Sequence, residues 1–401
     1  MLVLEYKVKA KPSQYRAIDE AIQTVQFIRN KSIRYWMDAS REDKIDRFAL
    51  NKYSTKLRQE FAFVKELNAM AVQAAAERGW LSISRFYDNC KKKKPGKKGY
   101  PKFQRSNRSV EYKTSGWSLI PTKRRITFTD KKGIGELKLL GKWDIHTYPV
   151  VAIKRVRLVR RADGYYCQFC VDVECRDIQP LSGKEIGLDV GLESFYTDSN
   201  GYHEPNPKFL RKSEPDIKHA QRRIYKKQKG SNNRRQARAR YSKKHLRVSR
   251  QRNEHAKRLA RNVCKSNDLV AYEDLKISNM LKNHCLAKSI ADASWYLFRM
   301  WIHYFATKFG KLAVAIPPHY TSAECSQCKR VVRKSLSART HVCVCGCNLH
   351  RDTNAAINIL LKAKSRGGHP QSNAGGVVTS TLLGATLVEQ VATVNLESPH
   401  L

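Results

Sequence analysis

The chain has 401 residues, 41% of them hydrophobic, enough apolar material for roughly two to three domains with real cores. Its 77 Lys and Arg against 35 Asp and Glu leave a formal charge of +42, a self-repulsion that a polyanionic partner relieves, and nucleic acid is the partner expected. No apolar run approaches the ~20 residues of a spanning helix, and MLVLEYKVKAK has neither the apolar length nor the cleavage site of a signal peptide, so no membrane partner is expected and a cytoplasmic location is.

Residues 2–10 alternate apolar and polar like a half-buried strand, and Pro12-Ser13 opens a helix in which Ile18, Ile22, Val25 and Ile28 recur at helical spacing. Two more helical patterns cover about 45–63 and 68–90. They run into a basic loop where Lys91, Lys92, Lys93, Lys94, Lys97, Lys98 and Lys102 accompany Tyr100 and Phe103, all candidates for nucleic-acid contact. From about 109 to 175 short strands (RITFTD, GELKLLG, VVAIKRVRLVRR, GYYCQFCVDVE) are separated by turn signals such as Asp163-Gly164, and the first strand is expected to join them in a small β-barrel.

Residues 184–204 read as a strand and a hairpin turning at Ser199-Asn200-Gly201. The basic stretch 206–262 offers Ile224, Tyr241, Leu246, Val248 and Leu259, too few apolar anchors for a deeply buried helix. A solvated helical hairpin is one reading; the nearly one-signed charge favours the other, a surface that tracks phosphates, with Arg222, Arg223, Lys226, Lys227, Arg234 and Arg235 as expected contacts. A buried strand is expected at 268–275, an aromatic core helix in ASWYLFRMWIHYFATKFG and another strand in KLAVAIPP. Beyond Arg366 there is no Lys or Arg, and the tail 364–401 is expected to be flexible.

Five of the 11 cysteines fall close together, Cys325 and Cys328 as a Cys-x-x-Cys pair, then Cys343, Cys345 and Cys347. Set among Lys, Arg, Ser and Thr they have no apolar surroundings to bury them, and the pattern is that of a structural Zn²⁺ site. Three acids stand at element ends: Asp189 after a strand, Glu273 near the end of another, Asp352 at a helix start. The element order is compatible with an RNase H-like α/β fold, where three such carboxylates converge and bind two Mg²⁺ ions for phosphodiester cleavage. Each has a structural alternative, and Asp268, Asp274 and Glu193 are the nearest decoys.

The segments IGLDVGLESFYTDSNG, VAYEDLKISNM, KSIADASW, PPHYTSAECSQC and CGCNLHRDTNAAINIL resemble the RuvC and zinc-ribbon motifs of TnpB, the insertion-sequence-encoded relative of type V CRISPR effectors. Gly99-Tyr100-Pro101-Lys102-Phe103 and the N-terminal strand and helix extend the likeness over nearly the whole chain. The resemblance implies an RNA-guided endonuclease that cuts double-stranded DNA beside a short flanking motif, with a guide RNA and target DNA as partners and Asp189, Glu273 and Asp352 as metal-binding acids. It implies an α+β multidomain fold: a wedge β-barrel (1–10 and 109–178), a helical recognition domain (11–108), and a RuvC-like nuclease domain (179–319 and 352–363) with an inserted zinc ribbon (320–351). A nuclease-inactive RNA-guided DNA-binding protein and a transposase accessory protein are the alternatives.

Two departures from the family pattern stand out. His350-Arg351-Asp352 replaces Asp-Arg-Asp but keeps the last acid, and Cys-x-Cys-Gly-Cys replaces the second Cys-x-x-Cys. Cys325, Cys328, Cys343 and Cys345 are the expected zinc ligands, with Cys347 in reserve, because Gly346 permits the tight turn that follows a knuckle cysteine.

Overall fold

The N-terminal strand forms as β1 (Leu2–Lys9), with Leu4, Tyr6 and Val8 turned into a core and the residues between them half-buried or exposed. The computed structural model describes residues 2–40, 42–93, 95–141, 145–174, 176–335 and 338–365. Lys94 and the tail from 366 onward lie outside the described residues. The chain divides into two units, the first ending at Glu174 and the second following it.

In the first unit, β1 leads into α1 (Pro12–Asp38), α2 (Arg47–Glu60), α3 (Ala62–Lys65) and α4 (Ala69–Lys91). Pro12 takes the first helical position, where its missing N–H costs nothing, and Asp46 and Asn68 cap α2 and α4 by accepting from Ala49 N and Met70 N. The strands that follow are β2 (Ser109–Tyr112), β3 (Trp117–Ile120), β4 (Arg125–Phe128), β5 (Gly135–Leu140), β6 (Ile153–Arg161) and β7 (Gly164–Val171). All pair antiparallel in the order β2-β6-β7-β1-β5-β4-β3.

β1 thus joins the later strands as expected, and in place of a full barrel the described residues form an open seven-stranded sheet with β2 and β3 as its edges. Edge β2 is covered by helix instead of strand. Arg78 on α4 donates to the Ser109 carbonyl at 3.2 Å and to its hydroxyl at 3.0 Å, satisfying groups that a barrel seam would otherwise pair.

The second unit holds β8 (Glu185–Val190), β9 (Ser194–Asp198), β10 (His203–Pro205), α5 (Phe209–Tyr225), α6 (Asn232–Ser266), β11 (Leu269–Glu273), α7 (Ile277–Met280), α8 (His284–Ala293), α9 (Trp295–Phe309), β12 (Leu312–Ile316), β13 (Thr340–Val342), β14 (Asn348–His350) and α10 (Arg351–Ser365). Its main sheet runs β10-β9-β8-β11-β12, with β8, β11 and β12 parallel and β9 antiparallel to β8. β13 and β14 form a separate two-stranded ribbon.

The basic stretch is a helical pair, α5 and α6, and its burial differs from expectation. Val248, Ala256, Ala260, Val263 and Cys264 are buried, so the C-terminal half of α6 is a core helix on α9 while its N-terminal half is mostly exposed. Alanines carry this interface, because small side chains let two helices approach closely where bulky ones would hold them apart. Trp295, Phe298 and Phe305 are buried as expected, and Trp301 packs at their margin. Among the described residues no helix is long and apolar enough to cross a membrane.

Candidate functional site

Strand register brings the acids together. β8 and β11 pair in parallel, with Leu269 opposite Glu185 and Tyr272 opposite Leu188, so the next step along both strands sets Asp189 beside Glu273. Neighbouring strands lie roughly 4.8 Å apart, and paired positions face the same side of the sheet.

That side is the one covered by α10. A Cβ at Gly187 would lie 2.1 Å from the Ala356 carbonyl oxygen and 2.9 Å from Leu360 N, so β8 and α10 touch backbone to backbone. Lys364 pairs with Glu185 near the far end of the helix. From 185 to 187 the facing helix positions step back from 364 to the 356–360 turn; two residues further along β8 and one turn further back on α10, Asp189 meets Asp352. Ala271, two residues before Glu273, packs on Ile359 and Ala363 of the same helix.

The electrostatics agree with this placement. Burial first, then the carboxylates of Glu273 and Asp352, push the Asp189 carboxyl well above the usual range, while Arg351 opposes them. Glu273 is also pushed up by burial, against a hydrogen bond from the Thr321 hydroxyl and the charge of Lys362. Like charges held this close in a half-buried notch are a costly arrangement for a fold, and a multivalent cation relieves it.

The decoys have partners of their own. Asp268 is buried against Lys311 Nζ at 2.5 Å and accepts from the backbone of Ser182 and Gly183; Asp274 pairs with Arg299 at 2.7 Å and Glu193 with Arg339 at 2.9 Å.

The cysteines cluster as the spacing predicts. Cys325, Cys328, Cys343 and Cys345 bring their sulfurs within 4.8 Å of one another, with Cys325 Sγ 3.6 Å from Cys345 Sγ and Cys328 Sγ 3.5 Å from Cys343 Sγ. Tetrahedral zinc with Zn–S bonds of ~2.3 Å sets its sulfurs about 3.8 Å apart, so this donor set fits zinc. Gly346 has φ +88° and its N–H donates to the Cys343 carbonyl at 3.0 Å, the turn expected there. Burial raises the Cys325 thiol, but the N–H groups of Cys328 and Gln327 outweigh it and bring it down to about 5. The Cys347 N–H pulls Cys345 down, yet burial and the crowding thiols of Cys328, Cys325 and Cys343 push it up to about 12. Cys347 itself sits with Cys325 and the buried His341. The Nδ1 of that imidazole faces Lys334 Nζ, an ammonium where a metal-bound histidine needs an acceptor, so the four-cysteine set is the better cage.

The polar anchors of this segment are groups that sequence reading passed over. Asn354 Oδ1 accepts from Ser326 N at 2.9 Å and its Nδ2 donates to Glu324 O at 2.8 Å. Asn358 Nδ2 donates to Thr321 O and Glu324 O at 3.0 and 2.7 Å. Both side chains are fully buried, and their spacing of four on α10 was the signal available.

The basic candidates are surface groups. In the first unit Lys91, Lys92, Lys93, Lys97 and Lys102 are exposed and Lys98 is half-buried, with its carbonyl accepting from Asn89. Tyr100 packs on Trp36 and Phe86 yet stays 53% exposed, and Phe103 is exposed at an open groove of about 480 Å³ lined by Phe27, Asn30, Lys31 and Arg34. In the second unit Arg222, Arg223, Lys226, Lys227 and Arg235 are exposed, whereas Arg234 donates to the Lys227 carbonyl at 2.9 Å and so also closes the α5–α6 turn.

The family model OrfB_IS605, described as a probable transposase, matches residues 168–284, and the model of the Cas12f1-like TNB domain matches residues 295–359. A Streptomyces pristinaespiralis protein named "Putative RNA-guided DNA endonuclease" is 28% identical over 368 residues, covering 89% of this chain and 88% of the relative. Escherichia coli (strain K12) has "Putative RNA-guided DNA endonuclease InsQ", 28% identical over 246 residues, 57% of this chain and 60% of that protein. A cryo-EM structure of a Cas12f1–sgRNA–target DNA complex shares the fold, with a TM-score of 0.50 at 14% identity over 86% of this chain and 81% of that one. The chain is thus similar to proteins named RNA-guided DNA endonucleases, in line with the resemblance of its motifs to those of TnpB.

Proposed function

We propose that this protein is an RNA-guided DNA endonuclease of a transposable element, cutting guide-matched double-stranded DNA beside a short flanking motif at one RuvC-type site. The observation that carries the reading is the convergence of Asp189, Glu273 and Asp352 from β8, β11 and α10 on one face of the β10-β9-β8-β11-β12 sheet. That strand order, with the second strand antiparallel, supports an RNase H-like domain, and the first unit's sheet and helices would serve as wedge and recognition parts.

All-carboxylate ligands suit Mg²⁺, and a pair of such ions, when bound, activates the attacking water and stabilises the departing oxygen. Asp189, Glu273 and Asp352 would hold them. Burial and the neighbouring carboxylates raise the Asp189 carboxyl, so a bound cation would compete with a proton there. The Thr321 hydroxyl holds Glu273 in place, and Asp352 is fixed by the first turn of α10. Cys325, Cys328, Cys343 and Cys345 would hold structural zinc.

Pairing with the guide would read the target sequence, while the protein reads duplex shape and the flanking motif. The exposed lysines and arginines at 91–102 and 222–235 would contact backbone phosphates.

The test is purification with the native locus expressed, sequencing of bound RNA, and cleavage of a plasmid library randomised beside a guide-matched site. Asp189→Ala should abolish cutting and retain RNA. Absence of specific RNA would defeat the guided reading, and undiminished cutting by Asp189→Ala would move the active site elsewhere.

A further inference from the structure

We infer that Thr321 is a positioning residue that orients Glu273 for cation binding and ties the acidic site to the cysteine-bearing segment. The inference rests on the nuclease reading and goes beyond it by giving a role to a residue outside the three acids.

Thr321 is buried, with 3% of its surface exposed, and its Oγ1 donates to Glu273 Oε1 at 2.5 Å; the Pro318 carbonyl, 3.3 Å away, is the weaker second acceptor. A glutamate at a strand end has three rotatable bonds, and a single donor on one oxygen selects among its rotamers. With Oε1 engaged by Thr321, Oε2 remains available to a cation. Ligating carboxylates are commonly fixed by such outer partners.

Thr321 is itself held. Its carbonyl accepts from Asn358 Nδ2 at 3.0 Å, and Asn358 also holds the Glu324 carbonyl at 2.7 Å, directly before Cys325. Ser326 N donates to Asn354 Oδ1 at 2.9 Å, and Asn354 stands two residues after Asp352 on α10. One network therefore runs from the first cysteine pair through α10 and Thr321 to Glu273, and the hydroxyl is its contact with a metal-binding acid. The neighbouring cation is occupied elsewhere: Lys362 Nζ lies 3.0 Å from Glu324 Oε2 and 2.9 Å from the His319 carbonyl.

The test uses the full-length protein with its co-purified RNA. Mn²⁺ affinity is read from the electron paramagnetic resonance signal of the free ion, zinc content by elemental analysis, and the Mg²⁺ concentration for half-maximal cutting in parallel. Thr321→Val keeps the shape and removes the donor; it should weaken Mn²⁺ binding by about 10- to 100-fold, raise the Mg²⁺ requirement correspondingly and leave zinc at the wild-type level. Thr321→Ser should restore both affinities. Thr321→Ala, which brings no methyl against the Pro318 carbonyl, is read in the same way if the valine variant loses zinc.

Wild-type Mn²⁺ affinity in the valine or alanine variant, or a serine variant as weak as valine, overturns the inference. Asp189→Ala separates the two readings. If it abolishes cutting and weakens Mn²⁺ binding while Thr321→Val matches wild type, only the positioning role fails; if Asp189→Ala changes neither, the nuclease site is misplaced and both readings fall.

Discussion

Gly187→Ala tests the geometry of the acidic site without touching an acid. The added methyl would sit 2.1 Å from the Ala356 carbonyl oxygen, 2.9 Å from Leu360 N and 3.0 Å from Leu360 Cβ, and Cβ atoms essentially never come within 3.0 Å of a neighbour. The main obstacle is helix backbone, so no side chain can rotate away; α10 must retreat from β8 by about 1 Å. Overpacking of this kind costs about 1–3 kcal/mol, which lowers the melting midpoint of a unit this size by roughly 2–4 °C per kcal/mol. The larger effect falls on Asp352, which α10 carries away from Asp189. A displacement near 1 Å costs on the order of 10²-fold in rate. Cutting of a guide-matched plasmid should therefore fall about 100-fold while all three acids and the bound RNA remain. Wild-type cutting and an unchanged melting midpoint in the alanine variant would refute the close β8–α10 contact and the convergence derived from it.

Two further outcomes are expected. Cys345→Ser should lose bound zinc, measured by elemental analysis after gel filtration, whereas Cys347→Ser should retain it; the reverse result would transfer the fourth thiolate to Cys347. Burial alone would raise the Asp268 carboxyl, but Lys311 and the N–H groups of Ser182 and Gly183 outweigh it and hold it at about 2. Against an unfolded value of ~3.9 this contributes roughly 2–3 kcal/mol, present above about pH 4 and lost as pH falls through about 2. Asp268→Asn should be less stable than wild type in urea unfolding at pH 6, and the gap should narrow towards pH 2. A gap that does not change with pH would contradict the account.

Much of the site was legible because motif residues sit at element ends. Asp189, Glu273 and Asp352 could be picked out one by one from strand and helix patterns, but their meeting depends on the register of β8 against β11, a long-range pairing that no local pattern encodes. Gly187 looked like any glycine in a strand until the closeness of α10 gave it a reason. Thr321 carried no periodic signal, since its partner lies 48 residues away. The buried face of α6 was missed because Ala256 and Ala260 contribute little to apolar periodicity beside so many charges, although their spacing of four matches one helix face. Strand identities in the first unit followed from alternation and turns. Closure did not, because it depends on whether an edge meets another strand or a helix, and here α4 supplies the Ser109 contacts.

The 15 residues of α10 bear on trimming the protein for use as a tool. Asp352 lies in its first turn, Asn354 and Asn358 grip the loop before and within the first cysteine pair, and Lys364 ties its end to Glu185. Excising the cysteine-bearing insertion and rejoining β12 to α10 would strip two fully buried carboxamides of their partners in the same helix that delivers an acid. The insertion is thus no detachable accessory, and a shortened version would need apolar replacements at 354 and 358 before its cutting could be judged.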